Sequence, residues 1–132
     1  MDTPTYGLTR ELPDVPYDQA VERVTEALAS EGFGVLTEID VQETLKKKLD
    51  VEFRKYAILG ACNPPLAHRA LQAELLMGLL LPCNVVVMEG DGGGSVVSLI
   101  QPVEMFRIVD NPEVAPIADE VGARLERVLE KL

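Results

Sequence analysis

Two short motifs in this sequence each place a cysteine directly before an asparagine. Cys62-Asn63 follows an apolar run that is typical of a strand, and Cys83-Asn84 precedes a second such run. The chain has two cysteines and one histidine, and that histidine, His68, lies between the two motifs. Functional groups are often displayed where strands meet loops. These five residues are therefore the candidate ligand or thiol site, although no motif among them identifies a catalysed reaction.

Thiol and imidazole groups suit two kinds of chemistry. A thiol pair can take part in redox or exchange reactions, and Cys62, Cys83 and His68 together could bind a soft metal such as zinc or copper. The separation of the cysteines matches no zinc finger or ribbon. The alternative is that both are small buried hydrophobic residues, a common environment for free cysteine. The sequence leaves open whether the two thiols meet, and it indicates no particular cofactor.

The surroundings of the two thiols predict different reactivity. Cys62 stands just before a predicted helix start, where free backbone N–H groups favour a thiolate. Cys83 enters the apolar run 85–87, where burial keeps a thiol neutral. Asn63 precedes Pro64 and is also typical of a turn or helix cap. Cys62 is therefore predicted to be the more reactive thiol.

Length and charge restrict the class of protein. A chain of 132 residues with 47% hydrophobic residues predicts one folded domain over residues 1–132. The formal net charge of −10 disfavours phosphate backbones and anionic lipid, so we expect no nucleic-acid partner and no membrane association. No run has the apolar length of a membrane span, and two cysteines are too few for a secreted disulfide scaffold. These properties predict a cytoplasmic protein.

Hydrophobic periodicity predicts five strands and four main helices. The strands are predicted over residues 5–12, 33–39, 53–59, 85–88 and 95–100. The first helix is predicted to carry Tyr17, Val21, Val24 and Leu28 and to stop at Gly32. The others are predicted over residues 41–49, from Pro64 or Pro65 to about Met77, and over 112–132, with a single helical turn at 102–106. The third helix mixes apolar residues over a wide arc and is predicted to be heavily buried. This order predicts an α+β two-layer sandwich, with helices on a mixed, largely antiparallel sheet.

Three polar or glycine-rich stretches have a functional and a structural interpretation. The glycine run 90–94 lacks the Lys-Ser/Thr ending of a phosphate loop and joins two strands, which favours a hairpin turn. Lysines 46–48 are predicted to lie on a solvated helix face. Glu38 and Asp40 could form a carboxylate pair, but a helix cap is the simpler role for Asp40.

Three blocks of the sequence resemble the family called domain of unknown function 302. They are residues 33–41, 56–64 and 78–85, and the similarity extends over about residues 17–105. The resemblance implies a small bacterial or archaeal α+β domain, of TATA-binding-protein-like architecture, that is commonly a homodimer. It implies no established reaction. The C-terminal helix, at about residues 113–131, lies outside the best-matched blocks.

Three functions remain open from the sequence. The first is a homodimeric binding module that holds a small molecule or a partner between sheet and helices. The second is a thiol-dependent redox or metal-handling protein that uses Cys62, Cys83 and His68. The third is a purely structural dimer. A homodimer is expected because the apolar stripe of the last helix and the strand edges leave more hydrophobic surface than one small domain easily covers.

Overall fold

The computed structural model of the chain describes residues 3–132 and confirms the α+β class. The strands are β1 (Gly7–Leu12), β2 (Gly34–Asp40), β3 (Tyr56–Cys62), β4 (Cys83–Glu89) and β5 (Ser95–Ile100). The helices are α1 (Tyr17–Ser30), α2 (Val41–Leu49), α3 (Pro64–Ala73), the short α4 (Pro102–Met105) and α5 (Val114–Glu130). Two 3₁₀ segments, Leu75–Leu80 and Phe106–Ile108, follow α3 and α4. No helix in the described part of the chain is long and apolar enough to cross a membrane.

The five strands form one sheet in the order β1-β5-β4-β3-β2, and every neighbouring pair is antiparallel. The first strand of the chain therefore pairs with the last. Their hydroxyl side chains meet where Thr9 Oγ1 and Ser98 Oγ lie 2.7 Å apart, although the two residues are 89 positions apart in sequence. β2 forms the opposite edge of the sheet and carries a bulge between Val35 and Thr37.

Alternate residues of the central strands face the helices and form the core. In β3, for example, Ala57, Leu59 and Ala61 are each 1% exposed. The apolar stripe of α5 is buried within the same chain, from Val114 to Val128. The part of the homodimer argument that assigned this stripe to an interface was therefore wrong, because α5 packs on its own domain.

The ends of α1 and α2 follow from local sequence. Asp40 Oδ1 accepts a hydrogen bond of 2.9 Å from the backbone N–H of Glu43, which confirms the predicted cap of α2. Gly32 follows α1 with φ +85°, a conformation that glycine adopts easily. Glu31, at the same end of α1, accepts hydrogen bonds from Arg127 Nε at 2.9 Å and Lys131 Nζ at 2.8 Å. These bonds join the C-terminal ends of α1 and α5.

The third helix is shorter and more exposed than predicted. It ends at Ala73, and Glu74 has the extended angles φ −148° and ψ 106°. The carbonyl of Ala73, which a continuing helix would bond to the N–H of Met77, instead accepts a hydrogen bond of 2.9 Å from Asn111 Nδ2. Of its residues only Leu66 and Ala70 are buried, so the prediction of heavy burial was wrong.

Candidate ligand cavity

Antiparallel pairing of β3 and β4 brings the two cysteines to the same end of the sheet. Ala61 is the direct partner of Cys83 in the ladder, and Cys62 is the next residue along β3. The chain leaves the sheet at Cys62, passes through α3 and the 3₁₀ segment, and returns at Cys83. The two residues therefore lie on neighbouring strands, at one end of the sheet.

Both cysteines line an apolar cavity of about 300 Å³. Its wall combines the start of β2, the end of β3, the inner side of α3, the start of β4, the 3₁₀ segments and α5. Phe33, Leu66, Phe106, Ile117 and Val121 contribute large apolar side chains. Nearly all of the lining surface is carbon, so the cavity suits an apolar guest and offers few hydrogen bonds.

Asn63 is the main polar side chain at the cavity, and both ends of its amide are occupied. It is 8% exposed, and its Oδ1 accepts a hydrogen bond of 3.3 Å from the backbone N–H of Leu66. Its Nδ2 donates to the carbonyl of Glu31 at 3.4 Å, and Arg124 Nη1 donates to the same carbonyl at 3.1 Å. Asn63 therefore caps α3, as predicted, and ties the helix to the end of α1.

The two thiols differ in accessibility. Cys83 is 5% exposed, whereas Cys62 is partly exposed. Burial, with a smaller contribution from the neighbouring Cys62, raises the pKa of the Cys83 thiol to about 11. Cys83 is therefore protonated at neutral pH, as the sequence predicted, and Cys62 is the thiol that a reagent can reach.

The structure brings together only three of the five candidate residues. Cys62, Asn63 and Cys83 line the cavity. His68 is exposed on α3, and Asn84 is exposed on β4, where it borders a separate shallow depression with Tyr6 and Val86. Among the residues that the structure describes, no three His, Cys, Asp or Glu side chains are grouped to hold a metal ion. The hypothetical three-ligand set of Cys62, Cys83 and His68 is therefore not assembled.

The sequence analysis missed the apolar wall of the cavity. Its large side chains come from five separated stretches of the chain, and each one fits the pattern of an ordinary core residue. The approach of these stretches depends on long-range packing. No local sequence signal distinguishes a residue that lines a cavity from one that fills the core.

Five exposed leucines lie on β2, α3 and the first 3₁₀ segment, elements that each contribute to the cavity wall, and we call them the leucine surface. Leu75, Leu76 and Leu79 of the 3₁₀ segment are 81%, 72% and 82% exposed, and Leu36 and Leu71 are 67% and 36% exposed. Leu36 and Leu71 also line the cavity. The leucine surface and the cavity mouth are therefore continuous.

Comparison with known proteins identifies a family and a solved structure of similar fold. The family described as "Domain of unknown function DUF302" matches residues 8–132. The crystal structure of an uncharacterized conserved protein DUF302 from Bacillus stearothermophilus is 31% identical in sequence, with a TM-score of 0.88 over 97% of this chain and 98% of that chain. No curated protein matches the sequence.

Proposed function

This chain belongs to the DUF302 family, whose description names no function. From the cavity we propose that the protein is a binding module for a small, uncharged, apolar molecule. The observation that carries the proposal is a cavity of about 300 Å³ with an almost wholly carbon lining. That volume equals roughly ten water molecules at ~30 Å³ each in the liquid. It lies at the small end of the usual range for ligand pockets.

The polar groups of the site support an uncharged ligand. Both functional ends of the Asn63 amide are already used within the chain. A charged or strongly polar ligand would bury groups without partners, at a cost of about 1–3 kcal/mol for each neutral group and more for a charge. An aromatic or branched aliphatic ligand would meet the side chains of Phe33 and Phe106 without that cost.

We further propose that the protein acts as a cytoplasmic homodimer. Two free cysteines support a reduced compartment. The exposed leucine surface supports self-association, because apolar patches of this kind mark interaction sites. The thiol or metal alternative gains no comparable support, since His68 lies outside the cavity and burial keeps Cys83 protonated.

The test is a titration with 1-aminoanthracene, a compact neutral dye whose fluorescence rises in apolar surroundings. We expect saturable binding to the wild type. Ala67, on the cavity side of α3, is replaced by phenylalanine to fill the cavity, and we expect affinity to fall about tenfold or more, the effect of losing about 1.4 kcal/mol of binding free energy.

The matched control is Ala115→Phe, the same substitution at an exposed position of α5. It should leave dye affinity unchanged. Thermal unfolding of both variants confirms that each one folds. A wild type that does not bind the dye, or equal affinities for the wild type and Ala67→Phe, would contradict the proposed function.

A further inference from the structure

Three of the five leucines of the leucine surface, Leu75, Leu76 and Leu79, belong to a stretch of the chain that carries no charge. Residues 75–88 contain no Asp, Glu, Lys or Arg, although the protein has 34 residues of these four types, 22 acidic and 12 basic. The 3₁₀ segment within this stretch has six residues, which is long for such a helix. It holds three leucines outward at more than 70% exposure, whereas Met77 alone is buried. Exposed leucines at this density mark an interaction site.

The area and the charge of the leucine surface fit a second copy of this chain. A fully exposed leucine side chain has roughly 120 Å² of apolar surface. Multiplied by the exposed fractions of the five leucines, this gives about 400 Å² of exposed apolar surface. A standard interface buries about 800 Å² per partner, of which about 65%, roughly 500 Å², is apolar in homodimers. Two chains of net charge −10 repel each other, and they can approach at least electrostatic cost along the uncharged stretch 75–88.

The same surface forms the rim of the cavity. Leu36 on β2 and Leu71 on α3 contribute both to the exposed face and to the cavity wall, and Gly78 of the 3₁₀ segment does the same. A chain that covers these residues also covers the opening between them. The cavity of a single copy is open on this side.

We propose that two copies associate through the leucine surface and that each copy closes the cavity of the other, so that ligand binding and dimerisation are coupled. This inference rests on the proposed function, because it assigns a regulation to the same cavity. Each ligand is held by its own chain below and by leucines of the partner above. By thermodynamic linkage, a ligand that prefers the closed cavity strengthens the dimer by the same factor by which the dimer strengthens ligand binding.

Sedimentation velocity with and without saturating 1-aminoanthracene tests the coupling. We expect the dye to lower the dimer dissociation constant by about fivefold or more. In the double variant L75Q/L79Q, which removes four leucines from each dimer, we expect the dimer dissociation constant to rise by about a hundredfold or more. Dye affinity should then fall to that of the open monomer, by the factor through which the dimer strengthens dye binding. Both leucines are exposed, so the variant keeps its core intact.

The matched control is Leu49→Gln. Leu49 is 65% exposed on α2, which follows β2 at the end of the strand opposite to the cavity. This variant should change neither dimerisation nor dye binding. A shift equal to that of L75Q/L79Q would place the interface elsewhere and overturn the proposal.

The remaining outcomes separate this inference from the proposed function. If the dye binds the wild type equally well in monomer and dimer, the coupling is refuted and the binding function stands. If the wild type binds no dye at any concentration, both fail, whatever its mass in sedimentation. If the wild type floats with neutral phosphatidylcholine vesicles and L75Q/L79Q does not, the leucine surface binds lipid, and the dimer proposal is overturned.

Discussion

Replacing Asn63 by alanine should destabilise the protein more than the loss of an ordinary surface cap. Asn63 caps α3 from a buried position, 8% exposed, and its amide joins α3 to the end of α1. Alanine removes both hydrogen bonds at once. It leaves the backbone N–H of Leu66 without its partner in a buried environment, where water replaces the lost bond poorly.

The size of the effect follows from the two bonds. Loss of an asparagine cap costs about 1 kcal/mol of stability, within a range of about 0.5–2 kcal/mol. Because the Leu66 N–H is buried, we expect the cost at this site to lie in the upper half of that range. The bond from Nδ2 to Glu31 is long, 3.4 Å, and Arg124 still donates to the same carbonyl, so its loss adds only about 0.5 kcal/mol. We expect the free energy of unfolding to fall by about 2 kcal/mol.

Urea unfolding followed by circular dichroism measures this change. At an m value of about 2 kcal/mol/M, the unfolding midpoint should fall by about 1 M. Asp40→Ala is the matched control, because it removes an exposed cap whose Oδ1 lies 2.9 Å from the N–H of Glu43, and it should cost about 0.5–1 kcal/mol. Asn63→Asp keeps the acceptor and should fall between the wild type and Asn63→Ala. Equal costs for Asn63→Ala and Asp40→Ala would refute this account of the buried cap.

Four further outcomes are expected. A fast alkylating reagent at neutral pH should label Cys62 before Cys83 in the native protein, as measured by mass spectrometry of the peptides. Equal protection of both cysteines would contradict this prediction. Hydrogen bonds from Lys131 and Arg127 hold the pKa of Glu31 below its usual value. The contribution of Glu31 to stability is therefore present at neutral pH and is lost as the pH falls through the lowered pKa. Glu31→Gln should therefore show a shallower loss of stability than the wild type in urea unfolding between neutral and acidic pH, and parallel curves would count against this role. In Gly60→Ala, the new methyl group would clash with the hydroxyl of Thr37 and lie 2.8 Å from Pro82 Cγ. The free energy of unfolding should therefore fall by about 1–3 kcal/mol. An unchanged urea midpoint would show that β3 shifts to accommodate the methyl group. Random-sequence duplex DNA at about 150 mM salt should not be retarded in a gel by micromolar protein, and a shifted band would overturn the prediction from charge.

Elements with local signals were predicted well from the sequence. The hairpin between β4 and β5 follows from its glycine run, and the cap of α2 follows from Asp40. Asn63 was likewise predicted as a cap from its position before Pro64, and the structure places its side chain at the start of α3. In each case the residue that determines the conformation lies within a few positions of the element.

Elements that depend on distant contacts were predicted poorly. The third helix ends at Ala73, and the partner of the Ala73 carbonyl is Asn111, 38 positions away in sequence, which no local pattern indicates. His68 shares a helix with cavity-lining residues, but the packing of α3 turns it to solvent. The cavity itself has no signal in any one stretch, because it forms only where β2, β3, α3 and α5 meet.

The pairing of β1 with β5 has a consequence for the synthesis of the protein. β1 is made before the other four strands, and β5, its neighbour in the sheet, is made after them, with Thr9 and Ser98 separated by 89 positions. Throughout that interval the nascent β1 has no strand to pair with, and β4 presents an unpaired edge until β5 emerges. Unpaired edges of this kind attract other chains. Premature termination before residue 95 would leave both edges open permanently, so truncated products of this chain should be aggregation-prone even though most of the core residues have been made.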